Sequence, residues 1–413
     1  MRARPSELAL LGVSLLLSIA AAEVALRLAG WSWPIFYRPD PVLGEVPIPR
    51  AEGWDRSENP IFVRFNTHGM RDHERTLEKP AGTLRIAFLG DSYVEAKQVE
   101  LEDTVGAVLE RGLANCPTLG SRKIEVLNFG VSGYGTTQEL LMFEERARHF
   151  APDLVIVGFF SGNDVRNNSL ELQGPSKPHF VERDGELVLD RSFSKGWGST
   201  LRASPVGRFV YELAPDVRVV QLVLAAARAR REREFAARRV EEERTAAVRV
   251  GEPGFEPGLD HQVFLDQPPP PWERAWAITE RILARLARRV EETGAALLLV
   301  SLSNGIQVHP DPRVRARFAE QLGVRDLWAP ERRLESIVRR HGIDHLALAP
   351  LLLAHAEATG RCLHGFVGGV PCGGHWNAEG HRVAGEILAG HLCRWLGRND
   401  GGTHALAGAP PGP

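Results

Sequence analysis

Three stretches constrain the fold most. LRIAFLGDS (84–92), IEVLNFGVSGYG (124–135) and PDLVIVGFFSGND (152–164) are apolar runs that each end on glycine and small polar residues. A strand apolar on both faces has to be covered on both faces. Between them, TVGAVLERGLA (104–114) and TTQELLMFEERARHF (136–150) carry helical spacing, the second with its start marked by Thr136 or Thr137. Strand–helix alternation of this kind predicts a parallel α/β sheet. The rhythm resumes later with a helix at 272–294, a strand at 295–303, a helix at 330–342, a weaker strand at 343–350 and a closing helix at 377–397. The expected architecture is a three-layer α/β/α, flavodoxin-like sandwich with about five parallel strands.

Around this core the chain divides by composition. Residues 34–80 form a Pro-rich, irregular lead-in in which IFVRFNTHGMRDHE reads as a short strand and a turn. The α/β pattern occupies 81–169 and 272–398, split by a largely helical insertion at 170–271 that is too long for a plain connection. Within the insertion, HFVERDGELVLD (179–190) predicts a hairpin turning at Asp184-Gly185. Residues 206–249 are helical in character, interrupted at Pro215, and DQPPPPWER (266–274) reads as a stiff linker. The charged run at 227–244 alternates in sign and reads as a solvated helix face. The tail 399–413 has the composition of a disordered segment.

The first 33 residues bear on compartment. Arg2 and Arg4 precede an apolar run from Leu8 to Ala22, and Val24 to Ala29 extend it towards Trp31 and Trp33, reaching the roughly 20 residues a bilayer needs. Glu23 and Arg27 are spaced to pair on a helix. Basic residues before the segment put the body across the membrane, so the expectation is a single-pass anchor with an exported body. Cleavage at Ala20-Ala21-Ala22 is the alternative and gives a secreted protein. Four cysteines without a CxxC pair leave room for one or two disulfides in an oxidising compartment, with Cys362 and Cys372 placed to bridge. A formal net charge of −2 gives no field that would gather nucleic acid.

In open parallel sheets ligands bind outside the carboxyl ends of the strands. Strand one ends at Asp91-Ser92, strand two at Gly130 to Gly135, strand three at Gly162-Asn163-Asp164, and the loop after strand five leads to His375. A serine hydroxyl needs a base to become a nucleophile, and acyl transfer needs donors aimed at the oxyanion. Ser92 is the candidate nucleophile and His375 the base. The Ser92 N–H, the Gly133 N–H and the Asn163 amide are the candidate donors. Asp91 shapes the turn, Asp164 stands beside Asn163, Asn377 reads as the cap of the last helix, and His381 as a structural residue inside it. Cys372-x-x-His375 is half of a zinc pattern without a second half, so neither metal nor cofactor is expected.

GDS (90–92), NFGVSG (128–133), GND (162–164) and HWNAEGH (375–381) stand in the order of the four blocks of the SGNH (GDSL-type) hydrolases, and the chain resembles their membrane-anchored bacterial members. The lead-in FNTHGMRDHE is similar to what precedes the domain in that family. The resemblance implies a serine esterase acting on an acyl ester, such as an acylated envelope glycan or lipid, through an acyl-enzyme on Ser92. An O-acetyltransferase acting on exported polysaccharide uses the same residues and stays open. Two positions depart from the pattern: Ala96 stands where many members have glycine, and Cys372 where aspartate is common. That leaves a Ser92–His375 dyad held by a backbone carbonyl, or a carboxylate from elsewhere. It also motivates a third reading, a non-catalytic glycan-binding protein.

Overall fold

The structure, a computed structural model, describes residues 4–195, 200–202, 204–227, 229–230 and 259–399. Most of the charged run at 227–244, and the tail beyond Asn399, lie outside them. Helix α1 (Pro5–Leu28) includes Ala9–Leu28, a stretch of mean hydropathy 2.2 with none of it buried, long and apolar enough to cross a membrane. The expected i,i+4 pair forms, with Arg27 Nε donating to Glu23 at 2.7 Å.

The lead-in is more ordered than its composition suggests. Strands β1 (Tyr37–Asp40) and β2 (Gly44–Pro47) pair antiparallel, as do β3 (Glu52–Asp55) and β4 (Ile61–Arg64). Phe36, Val46, Val63, Phe65 and Met70 join the same hydrophobic core as one face of the main sheet. Short strands hide from composition because four residues give too few alternations to see.

Then come β5 (Thr83–Gly90), α2 (Ser92–Glu95), α3 (Val105–Ala114), β6 (Lys123–Gly130), α4 (Thr136–Glu145), β7 (Leu154–Phe159), α5 (Asp164–Asn167) and α6 (Leu170–Gln173). The insertion contributes the hairpin β8 (His179–Arg183) and β9 (Glu186–Asp190), and helix α7 (Pro205–Leu213). Asp184 and Gly185 at the hairpin turn have φ of 53° and 81°, the positive pair a two-residue type I′ turn requires. The chain closes with α8 (Pro270–Glu291), β10 (Ala296–Ser301), α9 (Pro312–Leu322), α10 (Ala329–His341), β11 (Asp344–Ala347), α11 (Ala349–Thr359) and α12 (Ala378–Asn399).

Five strands form one parallel sheet in the order β6-β5-β7-β10-β11. This is the flavodoxin-like order, with its switch point between β5 and β7. Every residue of β5 and β7 is buried. Ile86 and Phe88 pack into the layer of α3, α11 and α12, while Ala87 and Leu89 pack into that of α4, α8 and α10.

Helix α4 begins at Thr136, as expected, with Gly135 as its cap, whose N–H is received by Gln138 at 3.1 Å. One local expectation is corrected: the proline run is no simple linker, since α8 begins at Pro270, where a missing N–H removes no helical bond. Two helices lie outside the elements read from the sequence: α9, although Asp311 caps it, Pro312 opens it and Gly323 follows it, and α11, whose apolar residues do not form a stripe. The insertion docks on the end of the apolar helix, with Arg27 donating to the Asp216 carbonyl at 2.6 Å and Val219 N–H to Glu23 at 2.9 Å.

Candidate active site

The site forms where β5, β6 and β7 end. Asp91 caps α2, accepting the Tyr93 N–H at 2.9 Å, and this places Ser92 as the first residue of a single helical turn. The turn lies close over the strand ends: a Cβ on Gly90 would stand 2.3 Å from Val94, and one on Gly130 2.3 Å from the Glu95 nitrogen. The turn ends at Ala96 in the left-handed region, φ 55°. A residue other than glycine costs roughly 1–2 kcal/mol there, which explains why glycine suits that position. Buried Arg71, from the lead-in motif, holds the carbonyls of Glu95, Ala96 and Val99. Burial draws its guanidinium down to about 10, which leaves it charged at neutral pH.

His375 meets Ser92 from a loop pinned at both ends. Cys362 and Cys372 form a disulfide, Gly365 N–H donates to the His375 carbonyl at 2.9 Å, and Asn377 N–H to Leu363 at 3.0 Å. Tyr93 supports the loop, donating to the Gly374 carbonyl at 3.1 Å, with its ring centroid 5.1 Å from that of His375. His375 Nε2 lies 2.7 Å from Ser92 Oγ.

The carboxylate behind His375 is Glu58. Its Oε1 hydrogen-bonds His375 Nδ1, and its Oε2 receives the His375 N–H at 3.4 Å. With Nδ1–H donating to Glu58, Nε2 is the nitrogen left to accept from Ser92. Burial raises the Glu58 carboxyl, but the hydrogen bond and charge of His375 outweigh it and hold the group below its ordinary value. Glu58 sits in the turn between β3 and β4, in the lead-in. The turn is fastened beyond α2 by Asn59 Nδ2, which donates to the Gln98 carbonyl at 2.9 Å, and by an Asp55–Lys97 ion pair at 3.3 Å. Cys372, which stands where aspartate is common, is taken up by the disulfide. It neither orients His375 through its side chain nor remains available to a metal.

Gly133 and Asn163 line a cleft of about 720 Å³ with Ser92, Glu58 and His375. Gly133 has φ of 80°, and a Cβ on it would meet no protein atom within 4 Å, so it borders open cleft. Asn163 also borders it, and its Nδ2 donates to Asp91 Oδ2 at 2.8 Å while its Oδ1 is buried without a partner. Asp91 therefore supports both the Ser92 turn and the Asn163 amide. Burial raises its carboxyl against the bonds from Tyr93 and Asn163. Asp164 accepts the Phe160 N–H at 2.9 Å, and burial together with Glu139 and Asp91 lifts its carboxyl well above the ordinary range. No hydrogen bond joins Asp164 to Ser92 or His375.

His381 is structural. It is fully buried, receives the Val105 N–H at 3.3 Å, lies edge-on to Trp376, and burial lowers it to about 3. Asn377 caps α12 as expected, accepting the Gly380 N–H at 3.0 Å. Besides Glu58, two residues went unnoticed in the sequence, His364 and Ser303. His364 Nδ1 binds the Gly374 carbonyl at 2.7 Å and its Nε2 meets Ser303 Oγ at 2.9 Å, which also accepts Trp376 Nε1–H at 2.9 Å. This buried relay backs the His375 loop, and nothing but proximity in the fold marks His364 and Ser303 out.

No family model matches the chain, and no curated protein matches it. Among solved structures it is similar to a protein described as lipolytic and of the G-D-S-L family from Desulfitobacterium hafniense DCB-2, at 11% identity and a TM-score of 0.33, covering 74% of this chain and 98% of that one. It is similar to a lipase/acylhydrolase from Enterococcus faecalis at 11% identity and a TM-score of 0.35, covering 76% and 95%. It is also similar to an acetylxylan esterase from Geobacillus stearothermophilus, solved as a catalytic mutant, at 12% identity and a TM-score of 0.34, covering 76% and 92%.

Proposed function

We propose that this chain is an exported serine esterase of the SGNH type. One observation carries the reading: a hydrogen-bonded series Ser92–His375–Glu58 at the switch point of a parallel sheet, opening on a cleft. Such a series is recognised by geometry and roles. Ser92 Oγ attacks the ester carbonyl carbon while its proton passes to His375 Nε2, and Glu58 stabilises the imidazolium. The Ser92 and Gly133 N–H groups and the Asn163 amide receive the oxyanion. Collapse breaks the carbon–oxygen bond to the alcohol, which leaves with the proton from His375. Water then attacks the acyl-enzyme by the same path, giving a carboxylic acid and restoring Ser92.

The cleft suits an ester that carries both apolar and polar groups. Phe160, Leu259, Phe366 and Val370 line it together with Asn167, Gln173 and Lys177. An acylated glycan or lipid of the cell envelope has that character. The apolar α1 and the two disulfides, Cys116–Cys393 and Cys362–Cys372, support an anchored body in an oxidising compartment. Glu58 supplies the acid whose absence motivated a non-catalytic reading.

Labelling by a fluorophosphonate and hydrolysis of an aryl acetate test the proposal. Ser92→Ala should abolish labelling and lower kcat by roughly 10⁴- to 10⁶-fold, and His375→Ala should follow it. Hydrolysis that survives Ser92→Ala sinks the reading. Adding an oligosaccharide acceptor separates acetyl release from acetyl transfer.

A further inference from the structure

The loop that carries Gly133 is held from three sides. Ser132 N–H donates to Glu95 Oε2 at 2.9 Å, Lys177 Nζ donates to the Gly133 carbonyl at 2.7 Å, and Asn167 Nδ2 donates to the Tyr134 carbonyl at 3.1 Å. The Gly133 N–H belongs to the peptide between residues 132 and 133. The peptide before it is fixed through Ser132 N–H, and the peptide after it twice, through the Gly133 oxygen and through Tyr134 N–H, which donates to the Val131 carbonyl at 3.1 Å. With both neighbours held, the intervening plane is restrained. Loss of the lysine bond leaves the following peptide on the Tyr134 bond alone, beside a glycine at φ 80° that resists rotation less than any other residue. A donor that swings loses the advantage of being aimed before the reaction begins.

Building on the esterase reading, we infer that Lys177, supplied by the first part of the insertion, is a positioning residue for the oxyanion site, fixing the Gly133 peptide through its carbonyl. The lysine is itself well placed. It sits in Gly174-Pro175-Ser176-Lys177-Pro178, and the Pro178 carbonyl receives Gln138 Nε2–H at 2.6 Å, tying the segment to the first turn of α4. Three carboxyl groups face it from separate elements: Asp91 beyond β5, Glu139 on α4 and Asp164 on α5. His179 at the start of β8 faces it as well, lowered to about 4 by burial and by the lysine. Burial draws the ammonium down to about 7 against the pull of the three acids, so its charge is lost across the neutral range. The neighbouring cation in the cleft, Arg166, is paired with Asp260 at 2.9 Å.

The test uses the full chain in detergent, with an aryl acetate as substrate and the reagent blank subtracted from pH 5 to 9. Lys177→Met should lower kcat roughly 10- to 100-fold, somewhat less than loss of an oxyanion donor itself, with KM within about twofold. Lys177→Arg, which keeps a charged donor, should recover most of kcat and lack the fall above about pH 7 expected of the wild type. Thermal unfolding of both variants separates a misfolded protein from a slow one, and Lys177→Arg keeps the test open if Lys177→Met does not fold. A kcat for Lys177→Met within about threefold of wild type overturns the inference. A loss confined to KM also overturns it, because it assigns the lysine to substrate binding. Activity that persists in Ser92→Ala overturns the esterase reading, and this inference with it.

Discussion

Two regions bring carboxylates towards Ser92 and His375, and they use the same chemical group in opposite ways. The lead-in brings Glu58 on a turn, partly exposed, bonded to an imidazole and held in its charged form. The floor beneath α2 brings Asp91, Glu139 and Asp164, each fully buried, each with its carboxyl raised chiefly by burial. Glu139 has neither oxygen hydrogen-bonded. A carboxylate that stabilises a developing imidazolium has to stay ionised. Under the proposed mechanism Glu139 and Asp164, whose carboxyls are lifted well above their ordinary values, serve better protonated, since a buried negative charge there would oppose the oxyanion. Environment assigns the roles, and residue type alone does not.

The sharpest way to break this comparison is to remove the charge on one side only. Glu58→Gln keeps the shape of the side chain and loses the charge that selects the His375 tautomer. It should lower kcat by roughly 10³- to 10⁴-fold in aryl acetate hydrolysis, as loss of the acid does in related triads. A change under tenfold would mean that His375 is oriented by the loop alone. The lead-in can also be loosened without touching Glu58. Arg71→Met leaves three carbonyls beyond Ser92 without their buried donor, and should cost about 3 kcal/mol of stability, read from denaturant unfolding. An unchanged midpoint would show that α2 is held by the strand ends and not by the lead-in.

On the floor the same substitution should do less. Asp91→Asn keeps the cap on Tyr93, for asparagine caps as well as aspartate, but it sets an amide NH2 where Oδ2 accepts from Asn163, and that bond is lost. Its kcat should fall roughly 10- to 100-fold, near the ~1.5–3 kcal/mol that a hydrogen bond to a charged group contributes. A loss as large as that of Glu58→Gln would move Asp91 from the floor into the proton path and erase the distinction between the two regions.

How much of this was readable before the fold follows from the range of each interaction. The strands announce themselves because both faces are buried, so β5, β6, β7 and β10 are apolar runs. Ser92, Gly133, Asn163 and His375 fall at strand ends or in a loop leading from one, where topology alone collects them. Glu58 has no such mark. It lies 317 residues before its partner, in a turn between two strands of four residues each. Only the packing of that hairpin against the 96–99 loop brings it to the site, and packing across such a distance leaves no local pattern. Cys372 drew attention for the opposite reason: it stood at the expected position of an acid, while its chemistry joined it to Cys362.

The smallest effect should come from Glu139, whose carboxyl oxygens have no hydrogen-bond partner, and it is a matter of pH. Burial lifts the Glu139 carboxyl well above its ordinary value, helped by the charge of Asp91. Near pH 4 the group is protonated in the folded and the unfolded chain, and it contributes no pH dependence. As pH rises, the unfolded carboxyl ionises while the folded one keeps its proton, so each step favours unfolding until the folded group ionises too. Glu139→Met fills a similar volume without a proton to lose. The variant and wild type should unfold at nearly the same temperature at pH 4. At pH 8 the variant should be higher by about 1 °C, the shift that roughly 1 kcal/mol produces in a chain of this size. A variant less stable at every pH would mean that the Glu139 carboxylate is ionised and held by a partner. The floor would then carry the same charge as the turn that bears Glu58, and the division of labour between them would have to rest on distance from His375 instead of on protonation.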